Sequence, residues 1–230
     1  MRVVWCLGMY ASASTWLFNV VRQMAAARGP VLTYFVSDTI NEASFGRSGL
    51  HIIKSHEIKG AAALNWLERR TEKIFVTIRD PRDAVASLIM YHGYTFERAL
   101  AHVDQAARLC VRFAADGRSI FWPYESGFFE QPDRVRQIAA HLGWQITESE
   151  CDEIFSAMRR ENVEAYIAKL PQMSGVLQDR VSGDMLDPQT HWHTHHAGRN
   201  GEVGRWKHSL TAEQVAAVAT KLQGCFSFDA

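Results

Sequence analysis

Two rhythms of apolar residues alternate along the chain. Val3–Met9 is a nearly unbroken apolar run, as expected of a short strand covered on both faces. Leu17, Val20, Val21 and Met24 then recur at helical spacing until Gly29-Pro30 stops them. Val31–Val36, Leu50–Lys54, Lys73–Ile78 and Ser119–Trp122 read as four further strands. Asp80-Pro81 is a helix start, with an N-cap followed by proline at the first helical position, and Val85, Leu88, Ile89 and His92 form one face beyond it. Helices follow around Thr95–Asp116 and from Pro132 through Leu142. Thr147-x-x-Glu150 predicts a capping box before a helix over Cys151–Leu170, and Thr211-x-x-Gln214 opens the last helix, closed by Gly224.

Strands that alternate with helices build βαβ units. The pattern therefore predicts one α/β domain over residues 1–230, three layers deep (α/β/α), with a central parallel sheet of the P-loop-NTPase-like kind. Ligands of such sheets gather beyond the carboxyl ends of the strands. Residues 171–210 break the rhythm, being polar and histidine-rich, and read as an irregular lid or substrate loop.

Composition adds a few exclusions. With 47% hydrophobic and 22% charged residues, the 230-residue chain can bury a full core. Formal net charge is zero, which gives no general attraction to nucleic acid or to an acidic membrane, so any anion site must be local. Cys6, Cys110, Cys151 and Cys225 are scattered without a CxxC pair and read as reduced packing residues of a cytoplasmic protein. Arg2, the following apolar run and Ala11-Ser12-Ala13 imitate a secretory leader, but a single positive residue is a poor start for one.

The stretch Met9–Asn19 follows a strand and leads into a helix, the arrangement of a phosphate loop. Against G-x-x-x-x-G-K-[ST], Gly8 fits the first glycine and Thr15 the last hydroxyl, while Ala13 and Ser14 replace the second glycine and the lysine. Such a turn still offers main-chain N–H groups and a positive helix end, with Ser12, Ser14 and Thr15 as hydroxyl donors. Lacking the lysine, it suits one phosphate bearing one more group better than a nucleoside triphosphate. The alternative is a plain serine- and threonine-rich helix cap. Trp16 either packs in the core or stacks on a base.

A second anion site is suggested by Arg79 at a strand end and Ser87 two helical turns later, since a guanidinium fork and a hydroxyl suit a separate phosphate. The alternative for Arg79 is pairing with Asp83.

Together these segments resemble the sulfotransferases that use 3′-phosphoadenosine 5′-phosphosulfate (PAPS). Ser12-Ala13-Ser14-Thr15-Trp16 is similar to the family's K-S-G-T-T-W loop, which implies hydroxyls on the 5′-phosphate and a tryptophan against adenine. Lys54-Ser55-His56 resembles K-[ST]-H, which makes His56 the general base. Arg79 to Ser87 matches the R-x7-S spacing of the 3′-phosphate motif, and Tyr124-Glu125 its Y-E beside adenine. Arg199-Asn200-Gly201 through Lys207 resembles R-K-G-x-x-G-x-W-K, whose arginine and glycine loop close on the 3′-phosphate.

Two positions depart from the family. Ala11 stands where its loop carries lysine, and Asn200 where the last motif often carries a second one. Lys54 is the candidate for the missing charge. Ala13 in place of glycine implies a backbone that avoids positive φ.

The resemblance implies a sulfuryl transfer from PAPS to a hydroxyl or amine of a small-molecule acceptor, with no metal needed. The acceptor is expected beneath residues 171–198, lined by Met173, Trp192 and the Tyr91–Phe96 region. In His191-Trp192-His193-Thr194-His195-His196, alternation would put His191, His193 and His195 on one face of an extended segment as zinc ligands, but no cysteine or carboxylate completes the set, so the run reads as part of a polar lid and no metal is expected. Two competing readings are an ATP-dependent small-molecule kinase and a catalytically silent binder of 3′,5′-nucleotides.

Overall fold

A computed structural model describes residues 2–41, 45, 49–178, 183–196 and 201–226. Five parallel strands form the central sheet: β1 (Arg2–Gly8), β2 (Val31–Phe35), β3 (Leu50–Ser55), β4 (Thr71–Ile78) and β5 (Ser119–Pro123). Their order is β2-β3-β1-β4-β5, so β1 is central. Its side chains alternate between two cores, as a strand covered on both faces requires. Val4 and Cys6 join one core, and Val3, Trp5 and Leu7 the other.

The first core is covered by α1 (Ser14–Ala26), α5 (Asp133–His141), α6 (Glu148–Ala157) and α7 (Arg160–Ile167), through residues such as Leu17, Val20, Val135, Ile138 and Ile154. The second is covered by α2 (Ala61–Arg70), α3 (Pro81–His92), α4 (Phe96–Ala114) and α9 (Ala212–Lys221), through Trp66, Leu67, Val85, Val103 and Val218. This is the expected three-layer α/β/α fold. The helix signals read from the sequence are realised at atomic level: the Asp80 side chain accepts from Arg82 N–H at 2.9 Å, and complete capping boxes open α6 and α9.

Three elements differ from expectation. The helix predicted over Cys151–Leu170 is two helices, because Met158 and Arg159 leave helical geometry (ψ 1° and 148°) and Asn162 donates to the Ser156 carbonyl across the break. The crossover helix α2 carries little sequence signal, since its run of alanines offers no marked apolar stripe and only Ala63, Trp66 and Leu67 are buried. Within residues 171–210, a two-stranded hairpin forms from β6 (Leu177–Gln178) and β7 (Met185–Leu186), and α8 (Trp206–Ser209) is one short turn. No helix among the described residues is long and apolar enough to cross a membrane.

Candidate active site

Register assembles the site. β1 pairs Leu7 with Ser55 of β3 and Gly8 with Thr77 of β4, while β4 pairs Ile78 with Pro123 of β5. The residues just past these strand ends are therefore neighbours: the loop after Gly8, His56, Arg79 and Tyr124. All sit at the carboxyl edge of the sheet.

Gly8 lets the first loop fold back tightly, since a Cβ there would lie 2.4 Å from both Ser14 Cβ and Thr77 Oγ1. Met9 N–H donates to the Thr77 carbonyl at 2.9 Å. The Ser12 hydroxyl is engaged inside the protein, bonding the Met9 carbonyl at 2.6 Å and Thr77 Oγ1 at 2.7 Å. Contrary to expectation, Ala13 adopts positive φ (59°), and so does Ala11 (55°). The turn into α1 needs left-handed backbone whether or not glycine is present. Alanine cannot cap, so α1 starts without a side-chain cap and its first N–H groups are left for another acceptor. Trp16 packs in the core edge-on to Phe128 at 5.7 Å, with its indole N–H lacking a protein acceptor.

Lys54 is almost wholly buried, and its ammonium donates to Thr15 Oγ1 at 2.6 Å. Burial lowers its pKa to about 7. His56 Nδ1 lies 2.7 Å from the Gly8 carbonyl. A carbonyl only accepts, so Nδ1 carries the proton and Nε2 keeps its lone pair. Burial, and then the charge of Lys54, push the His56 pKa down to about 3. Tyr10 stacks on its ring at 4.5 Å, and the half-exposed Phe35 meets it edge-on at 5.9 Å.

Arg79 is buried and shared among three segments. It donates to the Ala11 carbonyl at 2.9 Å and the Glu202 carbonyl at 2.6 Å, pairs with Asp83 at 3.3 Å, and lies 4.2 Å over the Tyr124 ring. The expected alternative partner, Asp83, is thus present alongside the loop contacts. Asp83 also accepts the main-chain N–H of Gly204 at 2.8 Å and of Trp206 at 3.0 Å. Ser87 is buried one turn after Asp83 on the same face of α3. The Tyr124 hydroxyl donates to the Gly201 carbonyl at 2.9 Å. Gly201 must be glycine here, because its φ is +58° and a Cβ would stand 2.3 Å from that hydroxyl. Arg199 and Asn200 lie outside the described residues.

The histidine run does not form one extended face. His191 has positive φ (57°) and turns toward Phe18, 4.7 Å away, and Trp192 is buried in the first core. His193 and His195 converge on Asp184, a carboxylate from outside the run, and His196 packs 4.7 Å from the His193 ring and accepts the His193 main-chain N–H at 2.9 Å.

Sequence reasoning missed Tyr10, Phe35 and Thr77 as site neighbours. Tyr10 carries one signal, its place directly after the strand that leads into the loop. The closeness of Phe35 and Thr77 depends on strand order, which local pattern does not encode.

No family model matches the sequence, and none of the curated proteins does. Solved structures do. Mouse sulfotransferase SULT7A1 complexed with PAP aligns with a TM-score of 0.64 at 16% identity, over 96% of this chain and 84% of that one. This is a sulfotransferase fold. Retinol dehydratase in complex with androsterone and the inactive cofactor PAP shares it with a TM-score of 0.59 at 17% identity, over 100% of this chain and 83% of its own. The same enzyme with retinol and PAP gives 0.56 at 15% identity, over 100% and 84%.

Proposed function

We propose that this protein transfers the sulfuryl group of PAPS to a hydroxyl or amine of a small-molecule acceptor. The observation that carries the reading is the meeting, at one sheet edge, of an uncapped helix start, a buried ammonium on the Thr15 hydroxyl and a histidine with a free Nε2. The PAP-bound neighbours of the same fold support a 3′,5′-nucleotide as the ligand.

In this reading the main-chain N–H groups of residues 12–15, with the Ser14 and Thr15 hydroxyls, hold the 5′-phosphate. The Ser12 hydroxyl shapes the loop through Met9 and Thr77. Tyr124 lies beside adenine, and the Trp16 indole N–H, which has no protein acceptor among the described residues, is the part of that side chain left for a polar partner. Arg79, Ser87 and the loop from Arg199 and Asn200 to Gly201 hold the 3′-phosphate, with Arg79 exchanging a carbonyl partner for it. His56 Nε2 takes the acceptor proton as the acceptor oxygen or nitrogen bonds sulfur. The bond from sulfur to the bridging oxygen breaks, and adenosine 3′,5′-bisphosphate leaves with that electron pair. Lys54 stabilises the charge growing on that oxygen, the task of the lysine that Ala11 replaces.

The test is a pair of measurements. Adenosine 3′,5′-bisphosphate should raise Tm clearly more than adenosine 5′-phosphate, and labelled sulfate from PAPS should appear on members of a panel of phenols, alcohols and amines. Equal shifts from the two nucleotides would reject the site. A 3′-phosphate preference without transfer to any acceptor would instead support the silent-binder reading, which Ala11 favours. Transfer of the γ-phosphate of ATP would revive the kinase.

A further inference from the structure

We propose that Asp184, His193 and His195 form a binding site for one divalent transition-metal ion of the zinc type, which fastens the hairpin beside the sheet edge. The site is separate from the residues assigned to sulfuryl transfer, and it does not depend on that assignment.

Geometry carries the case. Asp184 Oδ2 lies 2.6 Å from His193 Nδ1, and Oδ1 lies 3.1 Å from His195 Nδ1. One ligand atom from each residue falls within 4.8 Å of the other two. Tetrahedral zinc with bonds of about 2.0–2.1 Å spaces its ligand atoms about 3.3 Å apart. Small side-chain rotations therefore convert the two hydrogen bonds into two sides of a coordination shell. The end of α3 lies beside the cluster: the exposed His92 ring is 4.8 Å from His195, and Tyr91 stacks on His195 at 5.9 Å.

The scaffold is formed before any ion arrives. Asp187 N–H donates to the Trp192 carbonyl and Thr194 N–H to the Met185 carbonyl, both at 3.0 Å, and Leu186 pairs with His193, so this register sets Asp184 opposite His195 and diagonal to His193. The tip is anchored to the body of the protein: Asn19 donates to the Thr190 carbonyl at 2.8 Å, and the Tyr166 hydroxyl to Asp187 at 2.6 Å. The Thr194 hydroxyl donates to Asp184, the kind of outer contact that fixes a ligating carboxylate. All three side chains are partly exposed, which leaves a route from solvent.

Donor chemistry selects the ion. Two imidazoles and one carboxylate suit Zn²⁺, Co²⁺, Ni²⁺ or Cu²⁺, whereas Mg²⁺ and Ca²⁺ require mostly oxygen. All ligands come from one short segment, so the ion closes a local loop and leaves the strands untouched.

The experiment uses the full chain without an affinity tag, stripped with a chelator and titrated with Zn²⁺ by calorimetry and with Co²⁺ by visible absorption. The expected result is one equivalent of either ion bound, a Co²⁺ ligand-field band lost on adding Zn²⁺, and a Tm rise of about 5 °C with zinc in large excess. Asp184→Asn and His195→Ala should each weaken binding about 100-fold, and His208→Ala, on α8, should not change it. His193→Gln supplies an independent variant if one of the others fails to fold. Absence of a one-equivalent site, or an affinity unchanged in the ligand variants, overturns the proposal.

Discussion

The Lys54 ammonium and the Thr15 hydroxyl meet at 2.6 Å beneath the start of α1. The lysine comes from β3 rather than from the loop itself, which places a cation where Ala11 provides none. Its buried position lowers its pKa to about 7.

An anion bound at Thr15 will favour the protonated amine. Binding of adenosine 3′,5′-bisphosphate at pH 8 should therefore take up protons, visible as a dependence of calorimetric heat on buffer ionisation enthalpy. Lys54→Met should abolish the uptake and weaken binding about 10- to 100-fold, the range of a charge-assisted hydrogen bond. The free protein gains stability from this group as pH rises from about 7 toward the unfolded value near 10.5, because in that window only the unfolded chain keeps the proton.

His56 should be neutral throughout the working pH range. With a pKa near 3, its ring resonances should not titrate between about pH 5 and 8 by NMR. The linkage has the same sign as that of Lys54 in a more acidic window: stability falls as pH drops below the unfolded value of 6.5 toward 3, where the unfolded chain binds the proton first. His56→Ala should lower turnover about 10²- to 10⁴-fold while nucleotide affinity stays within a factor of about 3. Loss of nucleotide affinity of the same size would make the residue structural.

Ala13→Gly should stabilise the protein. A non-glycine residue in the left-handed region costs about 1 kcal/mol, partly offset by the greater freedom of an unfolded glycine. A rise in Tm of about 2 °C is expected by calorimetry. Ala101→Gly, on the exposed face of α4, should lower it by a similar amount.

Gly201→Ala should weaken nucleotide binding at least about 10-fold, because the added methyl collides with the Tyr124 hydroxyl and the loop lifts from Arg79. Tyr124→Phe removes that hydroxyl and leaves the next ring atom 3.6 Å from the methyl, so the double variant should recover part of the loss. Additive losses in a double-mutant cycle would refute the clash.

The strands and most helices were legible because a doubly covered strand must be apolar throughout and a helix start leaves capping residues in the sequence. Asp80-Pro81 and both capping boxes are such local marks. The two αL alanines were not legible, since alanine carries no sign of positive φ and the turn is imposed by the close packing of Gly8 against Thr77 and Ser14. Nor was the convergence of Asp184 on His193 and His195. It depends on the pairing of Leu186 with His193, and β7, with two residues, is too short to carry a strand pattern.

The order β3-β1-β4 has a consequence for how freely this protein can vary. Three neighbouring strands deliver Lys54 with His56, the first loop and Arg79, so a packing change in any of them disturbs all three deliveries together. β6 and β7 form a sheet of their own outside that ladder. Substitutions in β6 and β7 can therefore accumulate without moving Lys54, His56 or Arg79.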